Sequence, residues 1–269
     1  MKVKVELVKK AIYAVPVVLV ALTLFAFSVP VQASSTDDGI ESAAKKSHVF
    51  TSYLKVDDIK VQVRDGEATL TGSVASEAHK SMAAETVSNL PEVKSVDNQL
   101  EVKGEQPSKM SDAWLLTKVK TTLLFHRSVS ASTEVDVKDS IVTLGGTADN
   151  QAQKELTTEY ATDIEGVKSV KNEMTVSTST KEKQTIGEKV DGKIETIGNK
   201  IDDASITTMV KMTLLGHRST SALETSVTTK DGVVTLSGKA ANTAEVALAG
   251  KLTNDVNGVQ SVQNNMTVK

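Results

Sequence analysis

Asp139-Ser-Ile-Val-Thr-Leu-Gly-Gly146 and Asp231-Gly-Val-Val-Thr-Leu-Ser-Gly238 are one segment written twice, 92 positions apart. The same offset lays Gly166-Val167-Lys-Ser169-Val170-Lys-Asn172 on Gly258-Val259-Gln-Ser261-Val262-Gln-Asn264. A third version, Asp65-Gly-Glu-Ala-Thr-Leu-Thr-Gly72, stands 74 positions before the 139–146 segment. That offset also carries Val93, Ser95, Val96 and Asn98 onto Val167, Ser169, Val170 and Asn172. Offsets that persist through several elements mark internal repeats. Upstream, Val119-Lys-Thr-Thr-Leu-Leu-Phe-His-Arg127 matches Val210-Lys-Met-Thr-Leu-Leu-Gly-His-Arg218 at offset 91, and the first copy lacks the Leu-Leu-x-His-Arg segment.

Within each copy the hydrophobic period changes in a fixed order. Leu115, Val119, Thr122 and Leu123 form a helical stripe, followed by strand alternation at Val135 and Val137, or at Ile59, Val61 and Val63. Asp65-Gly66 and Asp231-Gly232 are favoured for two-residue hairpins, whose central residues both need positive φ. Asp139-Ser140 departs from that pattern and predicts a strained or different turn. The second strand is predicted to end at Gly72, Gly146 and Gly238. A second helix follows, with Asn242 and Glu245 spaced as a capping box. Its predicted buried faces are Ala78, Met82 and Leu90; Ala152, Leu156 and Ile164; and Ala244, Leu248 and Val256. A last strand such as Met174–Val176 closes the unit. The reading is α+β: three αββαβ modules, each with two helices packed on a three-stranded mixed sheet.

These hairpin, helix and Gly-Val-x-x-Val-x-Asn segments resemble the BON domain family over 41–103, 111–177 and 202–269. The first copy is divergent: Glu92 stands where the family has Gly, and Glu67-Ala68 weakens its hairpin. Modules this small bury limited apolar surface, so neighbouring copies are expected to dock at least in part.

The first 33 residues read as an export signal. Lys2, Lys4, Lys9 and Lys10 precede an apolar run from Ala11 to Val29, and Val31-Gln32-Ala33 is a small-residue cleavage pattern. Cleavage after Ala33 would send the chain to the periplasm; the other reading is a retained single anchor. Losing four Lys and one Glu takes the net charge from −3 to −6, and the chain would then start in a polar, flexible stretch, Ser34 to Gly39. Between the second and third modules, residues 178–201 carry Ile186, Val190, Ile194, Ile197 and Ile201. That narrow apolar stripe suits a helix packed on the third module, or a self-association or membrane-surface helix.

No cysteine is present, which excludes disulfides, thiolate metal sites and cysteine nucleophiles. The mild negative charge argues against a nucleic-acid partner. His48, His79, His126 and His217 show no metal-ligand spacing, and no cofactor is expected. His126-Arg127 and His217-Arg218 read as cations completing the dipoles of their own helices. Ser42-Ala-Ala-Lys45 and Ser52-Tyr-Leu-Lys55 match a short nucleophile motif without its partner motifs. The reading is a non-enzyme.

One face invites a binding role. Trp114, the only tryptophan, shares a second stripe with Lys118, Thr121 and Phe125, turned away from the Leu115–Val119 face. Such a face suits a lipid interface or packing against a neighbouring module. In the BON family phospholipid binding is linked to this kind of surface, and the resemblance places Trp114 at a matching position. The predicted contact residues are Trp114, Lys118, Lys120, Phe125 and Arg127. The expected function is an osmotic-stress envelope protein that binds phospholipid surfaces, and the alternative is a chaperone-like or scaffolding module that binds envelope proteins.

Overall fold

All three hairpins close on two residues of positive φ: Asp65 and Gly66, Asp139 and Ser140, Asp231 and Gly232. Ser140 adopts the same turn as the glycines, so the second turn is of the same type and carries its strain on a residue with a Cβ. The structure is a computed structural model and describes residues 35–104, 107–177, 200–220 and 223–269. The export segment 1–33 and residues 178–199 of the apolar stripe lie outside the described residues.

The first module runs α1 (Ser35–Lys46), one short π-turn (Val49–Tyr53), β1 (Asp58–Arg64), β2 (Glu67–Val74), α2 (Glu77–Ser88) and β3 (Ser95–Val102). The second runs α3 (Asp112–Leu124), β4 (Glu134–Lys138), β5 (Ile141–Gly145), β6 (Thr147–Ala148), α4 (Gln151–Thr162), β7 (Ser169–Asn172) and β8 (Thr175–Val176). The third runs α5 (Asp203–Gly216), β9 (Glu224–Lys230), β10 (Val233–Ala240), α6 (Thr243–Asn254) and β11 (Ser261–Val268). In each three-stranded sheet the hairpin's second strand is central. It pairs antiparallel with the first strand and parallel with the last, which arrives through the helical crossover. The mixed three-stranded sheet read from the repeats is therefore present in every module.

Three readings are corrected. Ser35–Gly39 is not a flexible lead but the start of α1, because Asp37 accepts hydrogen bonds from the turn amides of Asp65 and Gly66, both at 3.0 Å. Asp112 and Asp203 do the same for the other two turns. One acid at the start of each first helix thus ties that helix to the hairpin.

β2 and β10 also run two residues past Gly72 and Gly238 rather than ending there. These glycines let two strands approach: a Cβ on Gly72 would lie 2.0 Å from the Asp58 carbonyl oxygen. Only in the second module does the glycine, Gly146, split the strand.

Of the faces predicted for the second helices, Met82, Leu90, Ile164 and Val256 are buried, but the first-turn alanines of the second and third copies are not. Ala152 and Ala244 are exposed, while Thr157 and Ala161, or Ala249, Leu252 and Thr253, face inward. The N-caps Asn150 and Asn242 start each helix beyond the sheet, so its first turn stays in solvent. Asn242 accepts from the Glu245 amide as a capping residue should, but Glu245 reaches back to the Ala241 amide.

The modules are packed together, not strung apart. The second has its own core around Leu115, Val119, Val142, Leu144 and Ile164. Modules 1 and 3 share one continuous core, in which α5 is buried on nearly all sides. At that junction Asp202 and Ser205 accept from the amides of His48 and Val49, and Thr86 bonds Thr208. Lys211 pairs with Glu85. Ile201, the one described member of the apolar stripe, packs on module 3 beside Gly258.

Candidate functional site

The predicted binding stripe is divided by the packing. Trp114 is half-buried near the start of α3, with Lys118 Nζ 4.9 Å from the centroid of its ring. Lys118 is also bonded to Glu165 at 3.1 Å, and this bond is the main reason the Glu165 carboxyl sits below its ordinary value. Lys120 is exposed but points into a separate groove with Leu124 and Arg127.

Phe125 is 0% exposed, so it is not a membrane contact. It enters the core of modules 1 and 3, edge-on to Tyr53 with ring centroids 5.4 Å apart. Packing against neighbouring modules is the outcome for this residue. Arg127 is likewise engaged: its guanidinium donates to the carbonyls of Val259 and Asn254 and lies 3.7 Å from Asp255. It completes the end of α6 in the neighbouring module instead of its own helix.

What remains of the stripe lines a groove of about 680 Å³ bounded by all three modules. Trp114 and Lys118 come from α3, Met212 and Leu215 from α5, and Ala78 from α2. Leu215 is 59% exposed, and the exposed Lys103 and Lys109 stand at the edge. The groove combines apolar walls, one indole and an excess of cations over Glu77, its acidic neighbour.

A second constellation was missed in the sequence. His126 and His217 are buried with their Nε2 atoms 3.0 Å apart. His126 Nδ1 is 3.1 Å from Asp255, and His217 Nδ1 is 3.4 Å from Asp163. Arg127 N donates to the Asp255 carbonyl and Arg218 N to the Asp163 carbonyl. Ser128 and Ser219 donate to the same two carboxylates. The equivalent residues of modules 2 and 3 thus grip each other reciprocally, as in a two-fold dimer interface.

Module 1 lacks the His-Arg segment and also has Asn89 where the others have Asp163 and Asp255. That joint loss was the available sequence signal. Tyr160 stacks on His126 at 3.9 Å and donates to Asp255 at 2.9 Å. Burial and the Asp255 charge raise its phenol well above the ordinary value.

Among the described residues, a hydroxyl and an imidazole meet at Ser52 Oγ, 3.3 Å from His48 Nδ1. Asp202 accepts from the His48 backbone amide rather than from the ring, so the carboxylate does not take the place of a triad's third member. Among the described residues no group of three His, Cys, Asp or Glu side chains is placed to hold a metal ion.

The BON domain profile matches residues 36–104, 111–178 and 202–269. The chain belongs to the BON domain family. It is 29% identical over 218 residues to the osmotically-inducible protein Y of Escherichia coli (strain K12), across 80% of this chain and 98% of that protein. It is also similar to two solved structures of CdsD, a structural protein of the type III secretion system of Chlamydia trachomatis. Both are 15% identical and cover 86% and 88% of this chain and 90% and 98% of theirs, with TM-scores of 0.22 and 0.20.

The shared Asn of the BON repeats has a plain structural role. Asn98, Asn172 and Asn264 each donate to a second-helix carbonyl and accept from the amide two residues ahead. Among the described residues no helix is long and apolar enough to cross a membrane.

Proposed function

We propose that this chain is a non-enzymatic, exported envelope protein of the osmotic-stress class that makes weak contact with phospholipid surfaces through the Trp114 groove. The stress and envelope assignment is supported by the similarity to the osmotically-inducible protein Y. The lipid assignment is supported by one observation: an apolar wall of Trp114, Met212 and Leu215 beside the exposed Lys103 and Lys109. An indole suits the headgroup layer, and lysines beside it meet anionic phosphate. A chain this acidic is repelled by an anionic leaflet as a whole, so the contact is local and weak.

Co-sedimentation with vesicles of anionic and of neutral phospholipid tests this. Anionic vesicles should bind, and salt should weaken the binding by screening. Each of Lys103→Ala and Lys109→Ala should lower partitioning about fivefold, since one basic residue near such a surface contributes about 1 kcal/mol. Trp114→Ala should lower it further. Absence of binding to both vesicle types rejects the lipid reading. The protein-binding alternative draws support from the exposed Leu124 in the separate groove. It would then be tested by suppression of aggregation of an unfolded outer-membrane protein.

A further inference from the structure

The carboxylate–His–His–carboxylate row between modules 2 and 3 has three links but room for few protons. Two neutral imidazoles bring one N–H each. His126 Nδ1–H serves Asp255, and His217 Nε2–H serves His126 Nε2. His217 Nδ1 is then left without a hydrogen-bond partner, 3.4 Å from Asp163. A first added proton has a place there. A second has none, because it would set N–H against N–H across 3.0 Å inside the protein.

We propose that the His126–His217 pair is an acid-released latch between modules 2 and 3. It holds at neutral pH and opens as both imidazoles become charged. This does not rest on the lipid reading. Release would, however, part α3 from α5, which form the Trp114 and Leu215 walls of the groove.

The groups facing the pair act as follows. Burial is the largest influence on His126 and lowers its pKa from 6.5; Asp255 opposes this and His217 adds to it. A lowered histidine pKa gives docking stability that is complete above about 6.5 and is lost as pH falls. Burial pushes the Asp163 and Asp255 carboxyls up, but the neighbouring histidines and the serines bonded to them outweigh it and both end below 3.8. Their contribution is therefore lost only at lower pH. Tyr160 stays neutral throughout. Arg127 and Arg218 face the pair from either side and are held by backbone bonds to the partner module. His48 is also lowered by burial, against Asp202, but it lies at the junction of modules 1 and 3.

Amide hydrogen exchange of the full chain separates these interfaces. The Arg127, Arg218 and Asn257 amides bond across modules 2 and 3, to Asp255, Asp163 and Phe125. The Leu70 and Leu236 amides lie in the central strands of modules 1 and 3. Corrected for intrinsic rates, protection of the three cross-module amides should fall on the order of tenfold from pH 7.5 to pH 5. The Leu70 and Leu236 amides should keep theirs. In the double variant His126→Gln, His217→Gln the pH response should vanish, whatever its protection at pH 7.5. Equal protection at both pH values in the wild type, or an unchanged pH response in the double variant, overturns the latch.

Discussion

Replacing Phe125 with alanine is expected to remove about 3–5 kcal/mol of stability, the usual range for a fully buried Phe. The side chain belongs to module 2 but is buried in the core of modules 1 and 3, against Tyr53. Its loss therefore weakens docking more than it weakens module 2, whose own core is a separate cluster. Urea unfolding followed two ways reads this. Trp114 fluorescence reports on module 2 and circular dichroism on the whole chain. In the wild type the two transitions should coincide, and in Phe125→Ala the total stability should drop and the two should separate. A change below about 1 kcal/mol would mean that the ring sits on a free surface, as a membrane-facing Phe125 requires.

The second large effect is expected at Gly238. A Cβ there would lie 1.8 Å from the Glu224 carbonyl oxygen, and its φ of +131° is one that side chains rarely adopt. Backbone cannot yield as a flexible side chain does, so β9 and β10 must separate locally. Gly238→Ala should lose at least about 3 kcal/mol by thermal or urea unfolding. Gly39→Ala is the matched control: nothing lies within 4 Å of its Cβ position, and it sits in α1, where alanine is the better helix former. If both variants were equally stable, the close strand approach would be wrong.

The two halves of this fold differ in how they are written. The hairpin, its type of turn and the parallel last strand follow from patterns a few residues long, such as Asp231-Gly232 or the alternation at Val61 and Val63. Such patterns survive in a linear sequence. Part of the second helix's inner face was missed because Thr157, Ala161, Ala249 and Thr253 are small or polar residues that an apolar count passes over.

The docking was less legible still. His126 and Asp255 are 129 positions apart, and His126-Arg127 looked complete as the basic end of its own helix. Phe125 shared a helical face with Trp114, yet α3 ends at Leu124, and its two ends face different neighbours. The groove is similarly composite: Trp114 was visible as an unusual residue, but its companions Met212, Leu215 and Lys103 come from other modules. The asymmetry among copies carried the message in outline. The first copy lacks both the His-Arg pair and the Asp, and it is the one that docks by other means.

The central claim is that three BON modules form one block, with modules 2 and 3 clasped by their repeated His-Arg and Asp residues and module 1 sharing a core with module 3. Small-angle X-ray scattering of residues 35–269 at pH 7.5 tests it most directly. A docked block of this length should give a radius of gyration of about 18 Å, the value for compact chains. A radius well above roughly 25 Å would mean three modules held only by their linkers, and would contradict the account.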